Sequence, residues 1–183
     1  MPLQTREYDL NDVVAQLEAE REGLAEEVAA LDPDDPERQD RIQRGQEIDT
    51  YLDGLDAVRD PPEDVAIPQF DTVELGGLTG GEYGQIEDQL VSAALNRGDD
   101  AVGSGAERIH LVAQGTIDAV YLEDGMGYEQ AVAATAQLPL GYLKWAEAEV
   151  NEMTSLGGNE RDSFESLVTE SSRSTTSSEA AET

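Results

Sequence analysis

The chain of 183 residues carries 41 Asp and Glu against 11 Lys and Arg, a formal net charge of −30, and no cysteine. That length holds one domain of ordinary size with extensions, the missing thiols exclude disulfides and thiolate metal sites, and the charge leaves no basic patch for nucleic-acid phosphates. No apolar run approaches the roughly 18 residues of a spanning helix and no basic, apolar signal peptide is present, so the expectation is a protein that meets neither membrane nor nucleic acid and stays in the cell that makes it.

The acids are spread along the chain, with 18 in residues 1–60, 11 in 61–120 and 12 in 121–183, and Lys144 is the only lysine beside ten arginines. A dispersed pattern suits a folded surface better than an acidic tail or a mimic of DNA. Self-repulsion at this charge opposes the compact state in dilute buffer. At about 1 M salt the Debye length shrinks to about 3 Å and the repulsion is screened. The composition therefore points to a halophilic cytoplasm.

Leucines recur every seven residues at Leu10, Leu17, Leu24 and Leu31, with Val14 and Val28 at the intervening seam position. This is a heptad seam. Arg21 interrupts it and is expected to reach solvent or a partner carboxylate. The run Asp32-Pro-Asp-Asp-Pro breaks the helix, and Asp35 before Pro36 reads as the N-cap of a second helix ending near Arg59. Ile42, Ile48, Leu52, Leu55 and Val58 lie on one face of that helix, giving a helical hairpin or coiled coil over residues 1–60. Such a unit buries little alone, so it is expected to dock on a partner or a second copy, or to fold back on the domain beyond it.

Asp60-Pro-Pro-Glu-Asp reads as a stiff acidic linker over 61–65. Residues 66–158 then predict a small helical domain. Its first segment, Ala66 to Leu75, reads as one or two strands through Ile67, Phe70 and Val73. Thr79-Gly-Gly-Glu82 matches a capping box and opens a helix with Tyr83, Ile86, Leu90 and Ala94 on one stripe. A further helix is expected from about Ala106 to Glu123, using Ile109, Val112, Ile117 and Val120. An alanine-rich helix covers Tyr128 to Gln137, and Leu138-Pro139 opens the last one, with Leu140, Leu143, Ala146, Val150 and Met153 as its stripe and Gly157-Gly158 as its cap. From 159 the chain turns to Ser, Thr and Glu and is expected to be a disordered tail, with Phe164 and Leu167 docking weakly before it. The fold class expected is mainly α with a short β segment.

No residue pattern points to catalysis. His110 is the only histidine and has no nucleophile motif around it, so it reads as structural. Acid pairs such as Asp34 with Asp35, or Asp99 with Asp100, are too common in this composition to single out. The 32–36 turn lacks the oxygen spacing of a calcium loop. Gly103-Ser-Gly105 has Arg108 where a dinucleotide fingerprint needs glycine, and Gly76 to Gly81 has no following lysine. No metal or cofactor is expected. Trp145, with Tyr142 nearby, reads either as a core edge or as an exposed anchor.

The strand into Val73-Glu-Leu-Gly-Gly-Leu-Thr-Gly-Gly-Glu82, the Leu138-Pro139 helix start, Trp145, and Glu149-Val-Asn-Glu-Met-Thr-Ser-Leu156 resemble the tail assembly chaperones of long-tailed viruses, over roughly residues 66–158. The resemblance implies a small helical protein that binds the tape-measure protein, keeps its helices soluble and helps tail-tube subunits assemble around it. The N-terminal hairpin departs from the family's pattern. The function expected is thus non-enzymatic, a chaperone of a haloarchaeal tailed virus in its host's cytoplasm. The alternative is a tail or neck component retained in the virion, or a host coiled-coil adaptor. The partner-binding surface is expected at Leu10, Leu17, Leu24, Leu31, Ile48, Leu52, Leu55 and Trp145, with self-association through the N-terminal helices.

Overall fold

In the computed structural model, which describes residues 4–97, 104–123 and 125–155, the chain begins with a strand, β1 (Thr5–Asp9), that runs directly into α1 (Leu10–Ala30). Asp9 ends the strand and starts the helix, its carboxylate accepting from the Asn11 backbone N–H at 2.9 Å. After the Pro-rich turn, the Asp35 carboxylate accepts from Glu37 N at 2.9 Å, and Pro36 takes the first position of α2 (Pro36–Arg59), as its spacing foretold.

The hairpin does not stand apart from the rest of the chain. Phe70 N donates to Val58 O and the Gln69 side chain donates to Arg59 O, so the segment after the linker turns back along the end of α2. It then enters β2 (Thr72–Gly76). Residues 66–71, expected to be extended, carry no strand. β2 pairs antiparallel with β1 on one side, Tyr8 opposite Val73, and with β3 (Thr116–Ala119) on the other.

β1 and β3 are both absent from the sequence expectation, and β3 corrects it. The helix expected to reach Glu123 is α4 (Ser104–Gly115), and it stops at Gly115. A Cβ there would come 2.5 Å from a Val150 methyl carbon, so the backbone of α4 lies against α6 and then breaks into β-branched Thr116-Ile117. Ile117 and Val120, expected in the apolar stripe, are exposed.

The remaining helices are α3 (Gly80–Arg97), α5 (Tyr128–Thr135) and α6 (Leu140–Ser155). The capping box of α3 is present: Glu82 accepts from Thr79 N at 2.8 Å and the Thr79 hydroxyl accepts from Glu82 N at 3.3 Å. In α6, Leu143, Ala146, Val150 and Met153 are buried as their spacing requires, whereas Leu140 is exposed. The Gly157-Gly158 cap, Asp99 with Asp100, Gly103, Phe164, Leu167 and the tail from 159 lie outside the described residues.

One hydrophobic cluster joins both sides of the linker. Leu10, Val14 and Leu17 of α1 and Ile48, Leu52, Leu55 and Val58 of α2 share it with Val73, Leu75, Val112 and the inner face of α6. Five aromatic rings run through it in contact: Tyr8 edge-on to Trp145 (5.3 Å), Trp145 to Tyr142 (5.7 Å), Tyr142 edge-on to Phe70 (5.4 Å) and Phe70 to Tyr121 (5.5 Å). Each fully buried side chain of this size contributes about 1.5–3 kcal/mol. The helices α2 and α6 touch backbone to backbone, because Gly54 and Gly141 face each other and a Cβ on either would fall inside the other helix's main chain.

Beyond Leu17 and Ile48 the hairpin projects past this core. No residue from 18 to 47 is buried; Leu24, Val28, Leu31 and Ile42 are half-covered, Leu24 against the edge of the core. Ion pairs bridge the two helices there: Arg44 to Glu20 at 2.8 Å, Arg41 to Glu27 at 2.9 Å and Arg21 to Asp49 at 3.2 Å. Arg21 thus finds its carboxylate within its own chain.

Candidate protein-interaction site

The residues expected to meet a partner are for the most part core residues of this chain. Leu10, Leu17, Ile48, Leu52, Leu55 and Trp145 are buried, and Leu24 and Leu31 are half-covered along the hairpin tip. The correction has a plain cause: the heptad seam and Trp145 find their apolar neighbours intramolecularly, on α6 and the sheet. Trp145 is 2% exposed, and Tyr8 stands edge-on to it. The Tyr8 hydroxyl donates to Glu149 at 2.5 Å; burial first, and the Glu149 hydrogen bond second, push its pKa well above the usual phenol value.

A groove of about 530 Å³ runs over these residues between α1 and α6. Its carboxylates are partly compensated: Arg6 lies 3.8 Å from Glu149 and Arg44 holds Glu20. Its apolar floor, Leu17 and Trp145, is almost wholly covered. It therefore offers a partner little apolar contact.

Val65, Ile117, Val120 and Leu140 are exposed elsewhere in the chain, and α3 carries two exposed aliphatic side chains on one helix. This helix buries Ile86, Leu90 and Ala94 on one side and carries Val91 (53% exposed) and Leu95 (74% exposed) on another. Val91 and Leu95 stand one helical turn apart, so they form a short ridge. Gly84, two turns before Val91, has open space where a side chain would be. α3 and α5 both pack on α4 and leave a groove of about 490 Å³ above it. Ala93 and Val132 line the groove, Asp88 and Glu129 stand exposed on its α3 and α5 sides, and His110 and Tyr128 are part of its wall. Val91 and Leu95 are not among the residues lining the groove, but helical spacing puts Leu95 on the same side of α3 as Asp88 and Ser92, at the groove's edge.

His110 Nδ1 and the Tyr128 hydroxyl lie 2.8 Å apart, with their rings at 5.8 Å. Burial pushes the imidazole pKa down and the phenol up, which keeps both groups neutral near pH 7. The histidine thus adds no positive charge to the groove. Among the described residues no three metal-ligating side chains converge on one point, and no helix is long and apolar enough to cross a membrane.

The α3 ridge was missed because the inner stripe of the same helix, read at its proper period, accounts for the helix as a core element. The signal was the leftover pair Val91 and Leu95, which that stripe does not use. In comparison with known proteins, no protein family, no curated protein and no solved structure matches the chain.

Proposed function

We propose that this chain is a non-enzymatic assembly factor of a haloarchaeal tailed virus that covers an apolar helix of a tape-measure-like client in the salt-rich cytoplasm of the host. The observation that carries the reading is the α3 ridge. Two large aliphatic side chains stand exposed on a well-capped helix whose other side already supplies the core. Exposed apolar surface next to a groove is the usual form of a helix-binding face. The acidic, lysine-poor composition supports a high-salt solvent, and the resemblance of residues 66–158 to tail assembly chaperones supports the class of client.

In this mechanism the chain lends its ridge to a client helix that would otherwise meet other client helices, and releases it as tail-tube subunits close around the client. The test is co-expression with the tape-measure protein of the same virus, followed by capture in about 1 M KCl. Association and a gain in client solubility are expected, and Val91→Ser with Leu95→Ser should abolish both while leaving stability within about 0.5 kcal/mol. No association by the unaltered chain refutes the proposal.

A further inference from the structure

We infer that the α3–α5 groove takes an amphipathic helix whose apolar stripe is flanked by basic residues, a partner chemistry opposite in sign to this chain's own surface. The inference rests on the reading of the chain as a helix-binding assembly factor and specifies the ligand of the same site.

Shape comes first. α3 and α5 lie on either side of α4, and the eight residues of α5 span about 12 Å, enough to border two turns of a bound helix. Ala93 and Val132 in the lining, with Leu95 as a raised end, suit aliphatic side chains at successive turns. Charge selects among helices. Asp88 and Glu129 face the groove from opposite sides, and no Arg or Lys is among the residues lining it. The two other helix-lined grooves differ on this point: Arg6 and Arg44 line the one between α1 and α6, and Arg41 and Arg44 line the one at the hairpin tip. The pocket on the sheet, lined by Glu7, Glu74 and Asp118, also lacks a cation, but it is walled by strands and no helix. Of these three helix-lined grooves, the α3–α5 groove is the one whose carboxylates stand without a cation in the lining. A second copy of this chain fits poorly, since with 11 Lys and Arg against 41 Asp and Glu it has few basic residues to set beside these carboxylates.

The test uses the full chain, isotope-labelled, and two synthetic helical peptides of about 20 residues with the same Leu/Ala stripe, one flanked by Lys and Arg and the other by Glu. Titrations at two KCl concentrations, read by amide chemical shifts, should show the basic peptide perturbing α3, α5 and the α4 residues around His110. The acidic peptide should bind about tenfold more weakly, with the gap narrowing as salt rises. The paired charge reversal Asp88→Lys with Glu129→Lys should invert the preference; both side chains are exposed, so the fold is retained. Equal binding of the two peptides, shifts confined to other elements, no binding of either, or a concentration-dependent dimer that buries the groove would each overturn the inference. A reversed variant that still captures the co-expressed client leaves the assembly role standing and removes only this ligand assignment.

Discussion

The base and the tip of the α1–α2 hairpin are written in the same heptad pattern, yet they are held by different forces. At the base, Leu10, Val14 and Leu17 meet Ile48, Leu52 and Leu55 under the cover of α6, and the Gly54–Gly141 contact lets two backbones touch. At the tip, Leu24, Val28, Leu31 and Ile42 are only half-covered, and Arg21, Arg41 and Arg44 tie the pair together. An apolar period identifies which residues turn inward. It does not identify the neighbour, and the neighbour sets the energy.

The largest expected effect comes from the crossing. Gly54→Ala should cost about 3 kcal/mol or more in denaturant unfolding at molar KCl, because the added methyl lands in the backbone of α6 and the helices must separate. A cost below about 1 kcal/mol would mean that α2 and α6 do not touch there. Next comes a matched pair of seam substitutions. Leu55→Ala should lose about 2–5 kcal/mol, whereas Leu24→Ala, at the same kind of seam position but half-covered, should lose under about 1.5 kcal/mol. Equal losses would erase the distinction between base and tip.

Smaller still is the electrostatic share of the tip. Arg44→Gln breaks the links to Glu20 and Glu47, and amide exchange of residues 18–47 should speed up in dilute buffer with a cost of at most about 1 kcal/mol that fades in molar KCl. Acid acts on the same contact and is the weakest lever. The Arg44 hydrogen bond holds the Glu47 carboxyl below its ordinary value of 4.5. The unfolded chain therefore takes up the proton first, and this contribution is complete above the ordinary value and lost as pH falls through the depressed one. Tip exchange should rise over that window in the unaltered chain, and the rise should be absent from Arg44→Gln.

Much of the helical architecture was legible because its signals are local. Asp35-Pro36, Thr79 with Glu82, and Leu138-Pro139 each mark a helix start through groups a few residues apart, and each helix begins there. β1 and β3 were illegible for the converse reason. Thr5–Asp9 becomes a strand by pairing with residues more than sixty positions later, and Thr116–Ala119 continues the apolar spacing of the preceding helix until Gly115 meets Val150. Which large apolar residues stand outside was illegible for the same reason. Leu17 and Trp145 look like anchors in sequence because they are large and regularly placed, but those are also the qualities of core residues. Val91 and Leu95 look incidental beside Ile86 and Leu90, and they are the ones left outside.

Glu7, Glu74 and Asp118 stand directly opposite one another across the three strands, and Ile117 is an extra residue in β3 between the partners of Glu74 and Leu75. A short sheet with open edges is at hazard of growing edge to edge with another copy. A strand arriving at β3 would meet a bulged, irregular ladder, and a copy of this sheet would bring a second carboxylate row alongside the first. The same three acids that weaken the sheet within one molecule keep it from becoming a template for the next.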